Sequence, residues 1–305
     1  MSTDVKKATD IKPAIRAWWA DRPMTYGHEH GRTEFDLEAG GKRGAELGSR
    51  EFFELADRRF YGWNEPLHTA AGKFARIFPY DEMRGRRVLE VGCGVGCMAM
   101  NWAQHGARIT AVDLNPTSVA QTRRRFELFG LTADDIREAD AERLPFEDGT
   151  FDYVYSWGVL HHTPGTEQTI REVHRVLKPG GRAGVMLYHR DSFLYRYSIE
   201  YVEGFLHAER LALDGDDLRL SSRYSDGGRE EGNPHTWPVT RREVREQLFK
   251  PFARVAIDTF GTDLVPIFDQ WFPLLGSRLV PRAILNACAR RWGWSLWITG
   301  TKAKG

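Results

Sequence analysis

The chain has 305 residues, 41% of them hydrophobic and 28% charged, and a formal net charge of +1. That length and apolar content suit one elaborated α/β domain, while the near-neutral balance excludes the basic face of a nucleic-acid-binding surface. The three cysteines form no zinc pattern and read as reduced thiols, and no apolar run reaches the ~18 residues of a membrane span.

The preamble, residues 1–85, is long for a tail. Met1 to Pro13 is charged and lacks an apolar core, so it does not read as a secretory signal, and the expected location is cytoplasmic. Ile11, Ile15, Trp18 and Trp19 have helical spacing, and Tyr26 follows soon after. A second helix is expected over Glu51 to Arg59. A third is expected near Glu65 to Phe78, with Leu67, Ala71, Phe74 and Phe78 on one stripe.

Residues 86–190 alternate strand and helix. The run Val88-Leu89-Glu90-Val91 breaks into Gly92-Cys93-Gly94-Val95-Gly96-Cys97. A buried strand ending in glycine at every second position forms a loop whose backbone can lie against a ligand. Ile109-Thr110-Ala111-Val112 then ends in Asp113, seventeen residues after Gly96. A carboxylate at that strand tip can accept both hydroxyls of a ribose, so the two sites together predict an adenosine-containing cofactor.

The glycine spacing separates the candidates. Dinucleotide loops read GxGxxG, whereas here the pattern is GxGxG and Cys97 stands where the third glycine would be. Glu90, two residues before the first glycine, would repel a pyrophosphate but suits a cationic amino-acid group. Downstream, Asn115-Pro116 reads as a helix start and Gly130 as its end. Thr163-Pro164 is a similar start, with Ile170, Val173 and Leu177 as buried stripe and Pro179-Gly180 as stop. Ala183 to Tyr188 is the fifth strand.

In these motifs the chain resembles the class I S-adenosylmethionine-dependent methyltransferases. Their first motif is an acid followed by GxGxG, with a second acid at the end of strand two. Asp140-Ala141-Glu142-Arg143-Leu144-Pro145-Phe146 resembles the family's third-strand segment, and Phe151-Asp152-Tyr153-Val154-Tyr155-Ser156-Trp157 its fourth strand. Leu160-His161-His162 resembles the loop that follows, and Val176-Leu177-Lys178-Pro179-Gly180-Gly181 the next helix-to-strand corner. The nearest subgroup is similar to the small-molecule methyltransferases of quinone biosynthesis.

The resemblance implies a doubly wound, mostly parallel seven-stranded sheet with helices on both faces. It implies S-adenosylmethionine as cofactor, S-adenosylhomocysteine as product, and no metal. Gly92, Cys93, Gly94 and Gly96 then lie along the methionine part, with Glu90 near its ammonium. Asp113 holds the ribose, Leu114 packs beside the adenine, Asp140 and Ala141 meet the adenine amino group, and Trp157 walls the site.

Residues 191–253 are expected to form an insertion over the substrate, with an aromatic helix from Phe193 to Phe205 and a polar stretch from Asp214 to Asn233. Thr240-Arg241-Arg242-Glu243 is a capping box. Residues 254–305 complete the sheet with strands at Arg254 to Phe260 and Trp294 to Thr301. The apolar stretch Leu264 to Leu285 suits packing on the sheet, a homodimer surface, or a wall for an apolar substrate at a membrane periphery.

Methyl transfer from a sulfonium needs alignment and exclusion of water, and a base only if the acceptor still carries a proton. His161 and His162 stand where an acceptor would approach, and either a base or a loop-shaping role fits them. Tyr188 and His189 at the end of strand five are the second source of a base or anchor. Trp19 is a candidate lid residue, and Tyr26, His28, His30, Tyr224 and His235 could also line a lid, although taken one by one each reads as a surface residue. The expected function is methyl transfer to oxygen, nitrogen, carbon or sulfur of a small molecule. The alternative is a cofactor-binding regulatory or scaffold protein without chemistry.

Overall fold

A computed structural model describes residues 3–21, 34–36, 42–225, 232–261 and 280–304. Tyr26, His28, His30 and residues 264–279 of the apolar stretch lie outside the described residues. The strands are β1 (Glu34–Asp36), β2 (Lys42–Gly44), β3 (Arg87–Val91), β4 (Arg108–Asp113), β5 (Asp135–Glu138), β6 (Phe151–Trp157), β7 (Leu177–Tyr188), β8 (Ala253–Phe260) and β9 (Ser295–Thr301). β1 and β2 form an antiparallel pair, and the other seven form one sheet in the order β5-β4-β3-β6-β7-β9-β8. β3 runs parallel to both β4 and β6, whereas β9 is antiparallel to β7 and β8. The doubly wound, mostly parallel sheet expected from the motifs is therefore present. No helix among the described residues is long and apolar enough to cross a membrane.

The chain forms two compact units. One comprises Arg16–Tyr155 and Arg175–Gly181; the other comprises Met1–Ile15, Ser156–His174 and Arg182–Gly305.

In the first unit, β3 is buried from Val88 to Val91, as its aliphatic run requires of a strand paired on both sides. Helix α4 (Cys97–Gln104) follows the glycine loop. Helix α5 (Pro116–Leu128) starts as expected: Asn115 Oδ1 accepts from Thr117 N at 2.8 Å and Pro116 occupies the first turn. Helix α2 (Arg50–Trp63) is capped by Ser49. It sends Asp57 to the fully buried guanidinium of Arg125 on α5, which also lies over the Phe53 ring. Pairing is what makes a buried guanidinium tolerable.

The helix expected near Glu65 to Phe78 is not formed. A 3₁₀ turn at Glu65–Leu67 is followed by turns and a Thr69–Gly72 bridge, and a short helix, α3, appears only at Tyr80–Met83. The cause is local: Pro66 lacks an N–H, and Phe74 and Gly72 have φ of +57° and +140°, outside the helical region. Leu67, Phe74 and Phe78 of the stripe are nevertheless buried while Ala71 is exposed; Phe74 stacks on Phe60 and Phe78, and Phe78 lies against Trp102 and Tyr155.

In the second unit, α6 (Thr166–Val176) begins after the expected Thr163-Pro164 start. The Thr163 and Thr166 hydroxyls both donate to the Leu160 carbonyl and hold a turn there instead. β7 follows directly at Leu177, in residues 175–181 of the first unit, so Pro179 and Gly180, the latter with a φ of +79°, lie within the strand's range rather than ending a helix. The aromatic helix is Leu194–Leu206, and it buries Tyr195 and Ile199 with Leu213 and Leu220. The polar stretch from Asp214 to Asn233 contains the helix Asp217–Tyr224. Thr240 and Glu243 form the predicted capping box. The helix Arg282–Trp292 precedes β9.

Candidate functional site

The cradle is built from the carboxyl ends of β3 and β4. Gly92, Gly94 and Gly96 have φ of +86°, +52° and +78°, a conformation that L side chains rarely adopt. At Gly96 a methyl group would also meet Thr122, with Cγ2 at 3.0 Å and Cα at 3.3 Å. The loop is held from beneath. Gly92 N and Cys93 N donate to the Val112 carbonyl, the Thr122 hydroxyl donates to the Gly94 carbonyl, and Tyr61 Oη donates to the Cys97 carbonyl at 2.7 Å. Arg125 Nη1 reaches the Val95 carbonyl and Cys97 Sγ, each at 3.3 Å. All three cysteines are free thiols.

Asp113 clasps this loop: Oδ2 accepts from Gly94 N and Oδ1 from Asn115 N, both at 2.9 Å. Burial pushes its pKa up, against those backbone donors. A carboxylate oxygen has lone pairs to spare after one hydrogen bond, so it can still accept from a diol. Leu114 is half-buried beside it. Asn115 Nδ2 donates to the Trp19 carbonyl at 2.6 Å, and Arg16 pairs with Glu138 at 2.6 Å, so the first helix, α1 (Thr3–Asp21), meets the chain next to the Asp113 tip.

Glu90 is 3% exposed, and its Oε2 has no hydrogen-bond partner. Burial drives its pKa well above the usual carboxylate value, while Tyr155 and the Ala99 amide oppose the shift. A buried acceptor left unmade costs free energy unless a donor arrives. A cationic ammonium satisfies that demand and a pyrophosphate worsens it, so the donor set fits the amino-acid end of S-adenosylmethionine. Asp140 and Ala141 lie in the loop after β5, where Asp140 Oδ1 accepts from Glu142 N at 2.9 Å.

The second centre lies in the other unit. His161 and His162 occupy a 3₁₀ turn after β6 and are both buried. Their rings are 4.2 Å apart, and Tyr188 at the end of β7 stands 3.8 Å from His161 and 5.7 Å from His162. Trp294 packs on the other side of Tyr188 at 4.4 Å. Neither ring nitrogen of His161 has a partner, and burial with two neighbouring histidines holds its pKa well below 6.5.

His162 Nδ1 lies 2.9 Å from Thr236 Oγ1 and 3.1 Å from the His235 carbonyl. His235 therefore joins the cluster, its pKa pushed down to about 4 by burial and by His162. The sequence offered His235 as a lid or surface residue and not as a neighbour of His162, because 73 positions separate the two and no spacing rule connects them. His189 Nδ1 donates to the Gly293 carbonyl at 3.0 Å, leaving Nε2 buried and unpartnered. Trp157 packs against Trp297 at 5.8 Å, and Tyr224 packs on the Tyr195–Leu220 cluster.

A family model for the methyltransferase domain matches residues 89–185. A sterol 24-C-methyltransferase of Gibberella zeae is 32% identical over 275 residues, covering 79% of this chain and 68% of the relative. The chain belongs to the S-adenosylmethionine-dependent methyltransferase family. A ubiquinone biosynthesis O-methyltransferase of Pseudomonas aeruginosa is 33% identical over 124 residues, 39% of this chain and 53% of that one. The chain spans about half or less of the length of several other curated relatives. In fold, this chain is similar to a solved S-adenosylmethionine-dependent methyltransferase of Methanosarcina mazei, with a TM-score of 0.52 and 18% identity over 75% of this chain and 99% of that one.

Proposed function

We propose that this methyltransferase moves the methyl group of S-adenosylmethionine to a small, largely apolar acceptor. The observation that carries the reading is the Glu90 carboxyl, buried with Oε2 unpartnered, at the start of a loop of three left-handed glycines. In this reading Glu90 receives the ammonium, and Gly92, Cys93, Gly94 and Gly96 present backbone to the methionine part. Asp113 accepts from the ribose, Leu114 flanks the adenine, and Asp140 and Ala141 read its amino group. The cofactor, when bound, supplies an electrophilic methyl on a sulfonium that leaves as a neutral sulfide.

The chain's own work is alignment, exclusion of water and proton transfer. His162 is the base in this reading, because its Nδ1 is anchored by two acceptors. As the acceptor's lone pair forms its bond to carbon and sulfur keeps the electrons of the broken one, His162 takes the acceptor's proton. Trp19 and Tyr224 act as lid residues, and Tyr188 and His189 frame the acceptor side. The names of the relatives, a sterol methyltransferase and an enzyme of ubiquinone biosynthesis, support an apolar small molecule.

The test is transfer of labelled methyl to a panel of sterols, phenols, hydroquinones and amines. Labelled product from an apolar member is expected, together with S-adenosylhomocysteine in equal amount. Binding of the cofactor without transfer to any member would instead mark the scaffold protein that the sequence left open.

A further inference from the structure

The segment from Asn233 to Val239 is docked against the histidine turn by main-chain bonds. Trp237 N donates to the His161 carbonyl and Val239 N to the Tyr188 carbonyl, each at 2.9 Å. Thr236, fully buried, is held further by its own N–H, which donates to Ser222 Oγ at 2.8 Å. The side chains of this segment are therefore fixed relative to His162.

The hydrogen-bond directions follow from elementary donor and acceptor rules. His235 N donates to Asn233 Oδ1 at 2.9 Å, and a main-chain N–H can only donate, so that atom of Asn233 is the oxygen. Thr236 Oγ1 then gives its proton to the same oxygen at 2.7 Å. Toward His162, Thr236 Oγ1 presents a lone pair, and so does the His235 carbonyl. Both face Nδ1, which must carry the proton. In a neutral imidazole the basic lone pair is then on Nε2.

We infer that Thr236 is a positioning residue: with the His235 carbonyl it holds His162 as the Nδ1–H tautomer, so that Nε2 takes the acceptor's proton. The inference rests on the proposed methyl transfer, with His162 as its base. The groups that face His162 are His161, Tyr188, His235 and Thr236. The two acceptors on Nδ1 orient the ring. A misaligned base forfeits part of the roughly 10²–10⁴-fold that general-base catalysis contributes.

The experiment is nitrogen-15 correlation spectroscopy of histidine-labelled protein, with His162 assigned by its loss in His162→Ala. Wild-type protein is expected to show His162 protonated on Nδ1. Thr236→Val should populate the other tautomer and slow methyl transfer about tenfold at unchanged KM for S-adenosylmethionine. Thr236→Ser should restore both. A wild-type Nε2–H tautomer would overturn the inference whether or not any variant folds. So would Thr236→Val with wild-type tautomer and turnover. If His162→Ala keeps full turnover, the base assignment fails by itself, whatever tautomer the ring adopts.

Discussion

Glu90→Gln separates a cofactor-binding acid from a structural one, because the two roles move stability and affinity in opposite ways. The carboxyl is 3% exposed, with Oε2 unpartnered. Glutamine keeps the shape and removes the charge, relieving about 1–2 kcal/mol of uncompensated burial. At roughly 2–4 °C per kcal/mol, the ligand-free protein should melt about 2–8 °C higher. The sign follows from the raised pKa: a buried acid favours its protonated form, so its ionisation costs stability as pH rises through the folded value. The gain in Tm should therefore be larger on the alkaline side. Affinity should fall, because an ammonium loses a charge-assisted hydrogen bond of about 1.5–3 kcal/mol, or roughly ten- to a hundredfold in Kd. Differential scanning calorimetry and titration with S-adenosylhomocysteine read the two quantities. A variant that melts lower and binds as tightly as wild type would refute the reasoning.

Three further outcomes are expected. Asp113→Ala should weaken S-adenosylhomocysteine at least tenfold, about 1.4 kcal/mol, and also lower Tm, since Gly94 N and Asn115 N lose their acceptor. Titration calorimetry checks it, and a lower Tm with unchanged Kd would reduce Asp113 to a loop clasp. Gly96→Ala should lose about 1–2 kcal/mol by denaturant unfolding, from a φ of +78° and contact with Thr122; equal midpoints would contradict the strained loop. Stability should decline on acidification. His161 and His235 titrate lower folded than unfolded, so their contribution is full above about 6.5 and is lost as pH falls toward the folded values, about 4 for His235. His161→Asn or His235→Asn should flatten that decline in a pH series of urea midpoints.

Where one signal dominated, the elements were legible in the sequence. β3, β4, β6, β8 and β9 appear within a residue or so of the expected ends, because aliphatic runs there meet Gly, Asp or Trp at a sheet edge. The loop around Phe74 was not legible: its stripe has helical spacing, but Pro66 and the positive φ of Gly72 and Phe74 break the helix while Phe74 still stacks on Phe60 and Phe78. Pro179-Gly180 reads as a stop, yet both fall within the range of β7, Gly180 with a φ of +79°. The cradle was readable because its parts sit at strand ends in fixed order. The partners of His162 were not, since a contact between residues 73 and 74 positions apart leaves no periodic trace.

Titration of the purified chain with S-adenosylhomocysteine and, separately, with NAD and FAD tests the central claim most directly. The account predicts one saturable site for the demethylated nucleoside and no heat from either dinucleotide. Retention of NAD or FAD, with no response to the nucleoside, would contradict it.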